Sequence, residues 1–578
     1  MKLCESAWYL SYDITGKDAG AVKVLVRESI PFPFLRKDDY GYVVCLPNLR
    51  RLGQETIEYQ GIVFDIANEV HHEIVWNLFK ASVGYLSLCV IASNFEAYRD
   101  LVKGMKEETA LTAISLIEDS VINAYVKTLR QSLLPDITFA DAISYLLLKP
   151  AEYIRNERLR FASSILSLHK TGMVKGRISD GMMRDAKNVV GALQKLEEET
   201  ARALSDGKEP ANGDAPATVD DDAKRRVFST ICEKLSSYSG SISEVPSFLY
   251  MNHLSGSSLF VTNIEPPAED MIERTIKGIA DGLNLKIDFN MDALRNEATQ
   301  AIRDWMAKEK KREKILDKYR LMGEGTRFKD FVFPEEDYAE FLRRRVAHSK
   351  TIRRITNRLA VYYNLSGEDF RRESGFLDLQ QAIQVVASRS QRSDVFMEDT
   401  LRYRGQTWAV LVDVSLSLKN FAGEVKDVVL CLTEVSRKLF AGDRSLGIFA
   451  FDDRFYVIKD FTENHSRPVC ARIGGVEHSG LTYFADGLKM ASQVLRKQYE
   501  ETKVLIVVSD GFPSGYKEAV EETKEQVAAV LRSGIHAIGI GIDSSGIKDY
   551  FPVNCIVRTP YELMKRFVDT FFQYASMM

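Results

Sequence analysis

The sequence predicts a multidomain protein, with mainly α-helical N-terminal and middle regions followed by a C-terminal doubly wound, Rossmann-like α/β domain. Three observations carry this reading. A chain of 578 residues exceeds what one hydrophobic core supports, at roughly 100–200 residues per domain. Over much of the first 370 residues, apolar positions recur at three- and four-residue spacing, the period of a helix. From Gln406 onward, short apolar runs alternate with helical stretches, the pattern of a mostly parallel sheet covered on both faces.

Composition narrows the class. Hydrophobic residues make up 45% of the chain and charged residues 27%, the balance of a folded globular protein. The longest strongly apolar run, Val83 to Ser93, is shorter than the roughly 18–20 residues that span a bilayer, so no transmembrane helix is expected. Met1 to Tyr12 lacks the basic region, apolar core and small-residue cleavage site of a signal peptide. Seven cysteines (Cys4, Cys45, Cys89, Cys232, Cys431, Cys470 and Cys555) include no Cys-x-x-Cys pair, which argues against a zinc ribbon or a disulfide framework. The expected compartment is therefore the cytoplasm. A formal net charge of −4 gives no global attraction to nucleic acid or anionic lipid.

Along the chain, residues 1–203 read as a mainly helical domain. A short β-like opening (Ala21 to Val26, Tyr42 to Leu46) precedes helical periodicity over Ile62 to Ile91, Leu111 to Leu134 and Phe139 to Leu168. The stretch Leu204 to Lys224, rich in Asp, Ala, Gly and Pro, reads as a flexible linker. A helical middle region, 225–370, follows, with helices expected over Val227 to Tyr238 and Met271 to Leu283. It also holds a charged amphipathic helix over Asp292 to Leu321 and a basic stretch over Arg343 to Arg358. Residues 371–404 form a connector. The α/β domain, 405–578, opens on WAVLVDV and continues through SLGIFAF, RFYVI, KVLIVVSD, HAIGIGI and CIVR. Helices are expected at Phe421 to Phe440, Phe484 to Gln498, Lys517 to Ser533 and Tyr561 to Phe572.

In such a sheet, ligands bind beyond the carboxyl ends of the strands. Three polar clusters fall there: Asp413-Val414-Ser415-Leu416-Ser417, Thr482 in the loop His478 to Tyr483, and Asp510 in Ser509-Asp510-Gly511. A chain leaving a strand in extended form points alternate side chains the same way, so Asp413, Ser415 and Ser417 can face one ion. Two carboxylates and three hydroxyls make an all-oxygen donor set, which suits Mg²⁺ or Mn²⁺. With few charged ligands the ion stays electrophilic and can accept a carboxylate from another protein. Asp452 and Asp453 read as a hairpin turn.

This ordered set resembles the von Willebrand factor A domain with its metal-ion-dependent adhesion site, Asp413, Ser415 and Ser417 matching the first metal loop, Thr482 the second and Asp510 the third. The segment Gly375 to Ser417, together with Ser509-Asp510-Gly511-Phe512-Pro513, resembles more narrowly the nitric oxide reductase activation protein, the Rubisco activation subunit and the cobaltochelatase large-ring subunit. That resemblance covers roughly Glu373 to Tyr574. It implies a non-enzymatic adaptor or co-chaperone that works with a MoxR-type AAA+ ATPase on a client metalloenzyme. The ATPase would be a separate chain, since no Gly-x-x-x-x-Gly-Lys-[Ser/Thr] loop occurs here.

Two other signals point elsewhere. His71-His72-Glu73-Ile74-Val75-Trp76 approaches the zinc-protease pattern His-Glu-x-x-His, but Trp76 holds the second histidine position, and His72 and Glu118 alone make too few ligands for a catalytic zinc. A metalloprotease is thus a second alternative, and a degenerate, metalloprotease-like helical scaffold the preferred reading. The Arg343 to Arg358 stretch raises an RNA-binding alternative of the Ro type. Val346, Ile352, Ile355 and Leu359 are spaced for a buried helical face, which favours arginines on a solvated side or paired with carboxylates.

Overall fold

The computed structural model describes residues 3–53, 55–93, 98, 102, 107–205, 221–242, 244–254, 259–260, 265–285, 291–363, 367–372, 376–388, 393–400, 406–440, 442–500 and 502–575. The chain divides into two compact units, 1–311 and 312–578. Residues 225–311 of the expected middle region thus belong to the first unit and 312–370 to the second. Most of the expected linker, 206–220, lies outside the described residues, while its two ends continue the helices Asp180–Ser205 and Asp221–Ser236.

The first unit is mainly helical, with two small three-stranded sheets near its start. Val22–Arg27 and Tyr42–Pro47 confirm the β-like opening and pair in parallel, with Phe34–Lys37 antiparallel on the other side of Tyr42–Pro47. Ile62 to Asp65, expected to be helical, is instead a strand paired with Thr56–Tyr59. Its burial alternates with period two, and the helix begins only at Glu69, where the Asn68 side chain caps the Val70 N–H.

That helix, Glu69–Ala92, is long and apolar enough to cross a membrane by composition. Run length alone missed this, because His72, Glu73, Asn77 and Lys80 interrupt the apolar stretch. In this structure it is a core helix, packed against the helices Leu3–Thr15, Glu107–Thr128 and Leu134–Leu147. The charges buried beside it are paired. Glu118 accepts from Tyr98 Oη (2.7 Å) and Lys224 Nζ (2.8 Å), and Asp119 from Tyr85 Oη (3.0 Å) and Lys170 Nζ (3.2 Å).

The second unit is built on a seven-stranded sheet in the order Val553–Val557, His536–Ile542, Thr502–Ser509, Gln406–Asp413, Leu446–Phe451, Phe455–Lys459, Phe331–Val332. Every pair is parallel except Leu446–Phe451 with Phe455–Lys459, which form a hairpin. Both faces are buried, so the strands are continuously apolar and alternate residues enter different cores. Trp408, Val410 and Val412 face one core, with Val504, Ile506 and Val508; Ala409 and Leu411 face the other, with Leu505 and Val507.

The first face is covered by the helices Tyr338–Ala347, Ser349–Tyr363, Ala422–Leu439, Arg467–Gly474 and Pro560–Ala575, the second by Phe484–Arg496 and Ala519–Arg532. The domain thus begins well before residue 405. Phe331–Val332 extends the sheet edge, and Phe341, Ile352, Ile355 and Leu359 enter the first core. The helix Arg467–Gly474 ends where the backbone of residues 335–337 crosses it so closely that a Cβ on Gly474 would stand 2.1 Å from the Asp337 carbonyl oxygen. Gly367–Arg372, which runs from the expected middle region into the connector, pairs with Phe396–Thr400, as does Phe376–Leu377, in a small antiparallel sheet, and Leu379–Ser388 is a helix; residues 401–404 of the connector lie outside the described residues.

Candidate metal centre

Five parallel strands run side by side from Val553–Val557 to Leu446–Phe451, so their carboxyl ends lie at one edge. Thr502–Ser509 and Gln406–Asp413, paired directly, deliver Ser509-Asp510 and Asp413 to that edge. Asp413 is fully buried. Its Oδ1 accepts the Ser415 N–H at 3.0 Å, which turns the chain out of the strand, and its Oδ2 accepts the Ser509 hydroxyl at 2.6 Å. The Ser415 and Ser417 hydroxyls then lie 3.0 Å apart, the first buried and the second exposed. The alternation read from the sequence therefore places both hydroxyls together.

Thr482 is buried on the second loop. That loop is laced to the first, Ser479 N–H donating to the Val414 carbonyl (2.8 Å) and Leu416 N–H to the Gly480 carbonyl (3.3 Å). It is laced to the third as well, because Thr482 N–H donates to Ser514 Oγ (3.1 Å) and Ser514 N–H to the Thr482 carbonyl (3.1 Å). On the third loop, Asp510 Oδ1 accepts the Phe512 N–H at 3.1 Å. Gly511 has φ +79°, and a Cβ there would stand 2.3 Å from the Ile547 backbone nitrogen, so only glycine fits.

Burial, and then the charge of Asp510, push the Asp413 carboxyl up to about 7. Two carboxylates held near each other in a water-poor recess repel, and a divalent cation between them removes that cost. The remaining donors are hydroxyls, so the set is all oxygen and suits a hard cation. Among the described residues, no three His, Cys, Asp or Glu side chains come together so as to hold a metal ion. Any cation here depends on serine and threonine as well as the two aspartates, and these residues fit one.

Several supporting residues escaped the sequence reading. Ser509 was visible only as a neighbour of Asp510, and Ser514 not at all. Asp452 does turn the hairpin, but its buried carboxylate also accepts from Ser479 Oγ (2.8 Å) and Tyr456 Oη (2.9 Å), tying the hairpin to the second loop. The pairs Asp452–Ser479, Ser514–Thr482 and Ser509–Asp413 lie 27 to 96 residues apart, a distance at which local pattern carries no signal.

The other candidates have other partners. His72 Nε2 donates to the Ile66 carbonyl at 2.7 Å, Glu73 pairs with Arg295, and Glu118 is engaged by Lys224 and Tyr98. In the basic stretch, Arg344 bonds Glu340 and Asp427, Arg345 pairs with Glu434, and Arg358 with Asp569. Ile352, Ile355 and Leu359 are buried as expected, but Val346 is 73% exposed. The chain breaks its helix at His348, so Val346 does not continue their face.

The doubly wound sheet with these three loops at its carboxyl edge defines a von Willebrand factor A domain. Residues 408–512 match the family model described as the von Willebrand factor type A domain. An uncharacterized protein of Pseudomonas aeruginosa is 25% identical over 193 residues, 30% of this chain and 31% of that protein, so the chain spans about a third of the length of this curated relative. Among solved structures, proximal thread matrix protein 1 from the mussel byssus, with a zinc-occupied MIDAS motif, is similar at a TM-score of 0.24 and 15% identity, over 28% of this chain and 47% of that one. An aerotolerance-related membrane protein from Bacteroides fragilis is similar at 0.23 and 12%, over 29% of this chain and 100% of its own. The Deinococcus radiodurans RO protein is similar at 0.20 and 10%, over 90% and 96%.

Proposed function

We propose that this protein is a non-enzymatic adaptor whose A domain binds Mg²⁺ or Mn²⁺ through Asp413, Ser415, Ser417, Thr482 and Asp510, and uses the ion to hold a carboxylate of a partner protein. The observation that carries the reading is the convergence of two aspartates and three hydroxyl residues on three loops hydrogen-bonded to one another. The protein's part is to fix oxygen donors that neutralise the ion without saturating it, leaving room for an incoming anionic ligand. The exposed Ser417 marks the side open to that ligand.

The partner in this proposal is a MoxR-type AAA+ ATPase, with a client metalloenzyme as the object of remodelling, in the cytoplasm. It is supported by the likeness of residues 375–417 and 509–513 to adaptors of that kind, and by the lack of a nucleotide-binding Gly-Lys-[Ser/Thr] loop in the chain. The test is an affinity capture from native lysate in Mg²⁺, repeated with EDTA and with Asp413→Ala, the bound proteins being identified by mass spectrometry. The expected result is an AAA+ ATPase recovered only with metal and with Asp413 intact. Recovery indifferent to both changes would remove the metal centre from the contact.

A further inference from the structure

The first unit holds a cavity of about 360 Å³ that has no part in the metal centre. The exposed Glu198 and Asn284 mark its mouth, and the buried Asp141, His169 and Lys170 its floor. One wall is a face of the helix Leu134–Leu147, on which Leu134, Ile137 and Asp141 recur at three- and four-residue spacing. That wall runs from the half-buried Leu134 to a carboxyl group only 5% exposed. Leu283, just past the end of the helix Glu269–Gly282, adds a second apolar surface.

The bonds at the floor leave negative charge over. Lys170 Nζ donates to Asn123 Oδ1 (2.9 Å) and Asp119 Oδ1 (3.2 Å) and lies over the Tyr250 and Tyr85 rings at 5.5 and 5.9 Å, so its donors are committed. Lys127 donates to Glu197, and burial favours the neutral ring of His169. Asp141 is the opposite case. Its Oδ1 accepts the Tyr250 hydroxyl at 2.7 Å, while Oδ2 accepts no hydrogen bond among the described residues and is left for an occupant. An incoming anion would meet committed ammonium groups; an incoming cation meets an open carboxylate oxygen. Among the described residues no three His, Cys, Asp or Glu side chains converge to hold a metal ion, so the cation that fits is organic. The Leu134, Ile137 and Leu283 surfaces suit an alkyl stem, and the volume is that of a small-molecule site.

We propose that this cavity binds a small aliphatic amine, its ammonium group donating to Asp141 Oδ2 and its alkyl stem lying along Leu134 and Ile137. The site is independent of the metal centre. The ammonium takes the place of the proton that Asp141 otherwise keeps. Burial raises that carboxyl to about 7, with Lys170 and the Tyr250 hydroxyl pulling it down, Asp119 pushing it up and Lys127 pulling it down. Only the carboxylate form holds an ammonium, so binding tightens as pH rises through 7, by about tenfold between pH 6 and 8. Exposed carboxylates are already ionised at pH 6 and give no such change.

Isothermal titration of the full chain with n-butylamine, n-butanol and n-butyrate tests this. One butylamine should bind per chain at pH 8, at least tenfold tighter than either control, and about tenfold more weakly at pH 6. Asp141→Asn, which keeps an oxygen for the Tyr250 hydroxyl, should lose both the binding and its pH dependence. Should that variant fold poorly, the wild-type pH series decides alone. No saturation by butylamine up to about 10 mM, equal binding of butanol or butyrate, an affinity flat between pH 6 and 8, or binding that survives Asp141→Asn would each overturn the proposal. Tighter binding of Nα-acetyl-lysine methylamide than of butylamine would overturn the small-molecule ligand in favour of a partner's lysine side chain.

Discussion

At the residue scale, Asp413 is the hinge of the centre, because its two carboxylate oxygens organise two of the three loops. The Ser509 hydroxyl donates to one of them, so Ser509→Ala should cost about 1 kcal/mol of stability and lower Mn²⁺ affinity about tenfold, as losses of outer-shell partners do. Denaturant melts and metal titration check the two halves separately. Gly511→Ala should be worse for the fold, by about 1–3 kcal/mol or more, since its φ of +79° and the approach of the Ile547 nitrogen leave no place for a Cβ. The first unit offers a pH readout at Asp141. Burial raises its carboxyl to about 7, with Lys170 and the Tyr250 hydroxyl pulling down, Asp119 pushing up and Lys127 pulling down. A carboxyl whose folded pKa lies above its unfolded value favours folding fully below about pH 4, and that contribution is lost as pH rises through 7. The stability of the wild type relative to Asp141→Asn should therefore fall between pH 4 and 8, as measured by urea unfolding of both proteins across that range; a flat difference would contradict the assignment.

Elements differ in how much of them the sequence discloses. The five apolar strands of the α/β domain's parallel core, and the order of its loops, were legible because both-face burial writes an uninterrupted apolar run and helices of 12 or more residues separate all but the last two, which are joined through the short turn Gly546–Asp549. Asp413, Ser415, Ser417, Thr482 and Asp510 were legible for the same reason, as polar residues where such runs stop. Ile62 to Asp65 was misread because a four-residue run of mixed apolar residues beside a helix has no period of its own. The helix Arg467–Gly474 was missed because Pro468 and the Gly474-Gly475 pair look like a loop; the proline sits in its first turn, where no amide bond is lost. The contribution of residues 331–363 to the A domain was not legible, since a two-residue edge strand and two amphipathic helices carry no record of what covers them. That contribution is testable. Ile355, fully buried in the sheet's first core, should cost about 2–5 kcal/mol on truncation to alanine, felt in unfolding of the second unit. Trp408, packed on Phe440 and Phe571 at 5.1 and 5.6 Å between ring centroids, should cost about 3–5 kcal/mol by the same change.

At the scale of the whole molecule, the chain joins a helical unit held by paired buried charges to an A domain that carries a candidate metal centre. The central claim is that Asp413 and its companions hold one divalent cation, and isothermal titration of the metal-free full chain with Mn²⁺, alongside Asp413→Asn and Asp510→Asn, tests it most directly. One ion should bind per wild-type chain, and neither variant should show saturable binding while both keep the wild-type circular dichroism. Binding that survives either substitution, or no binding by the wild type, would contradict it.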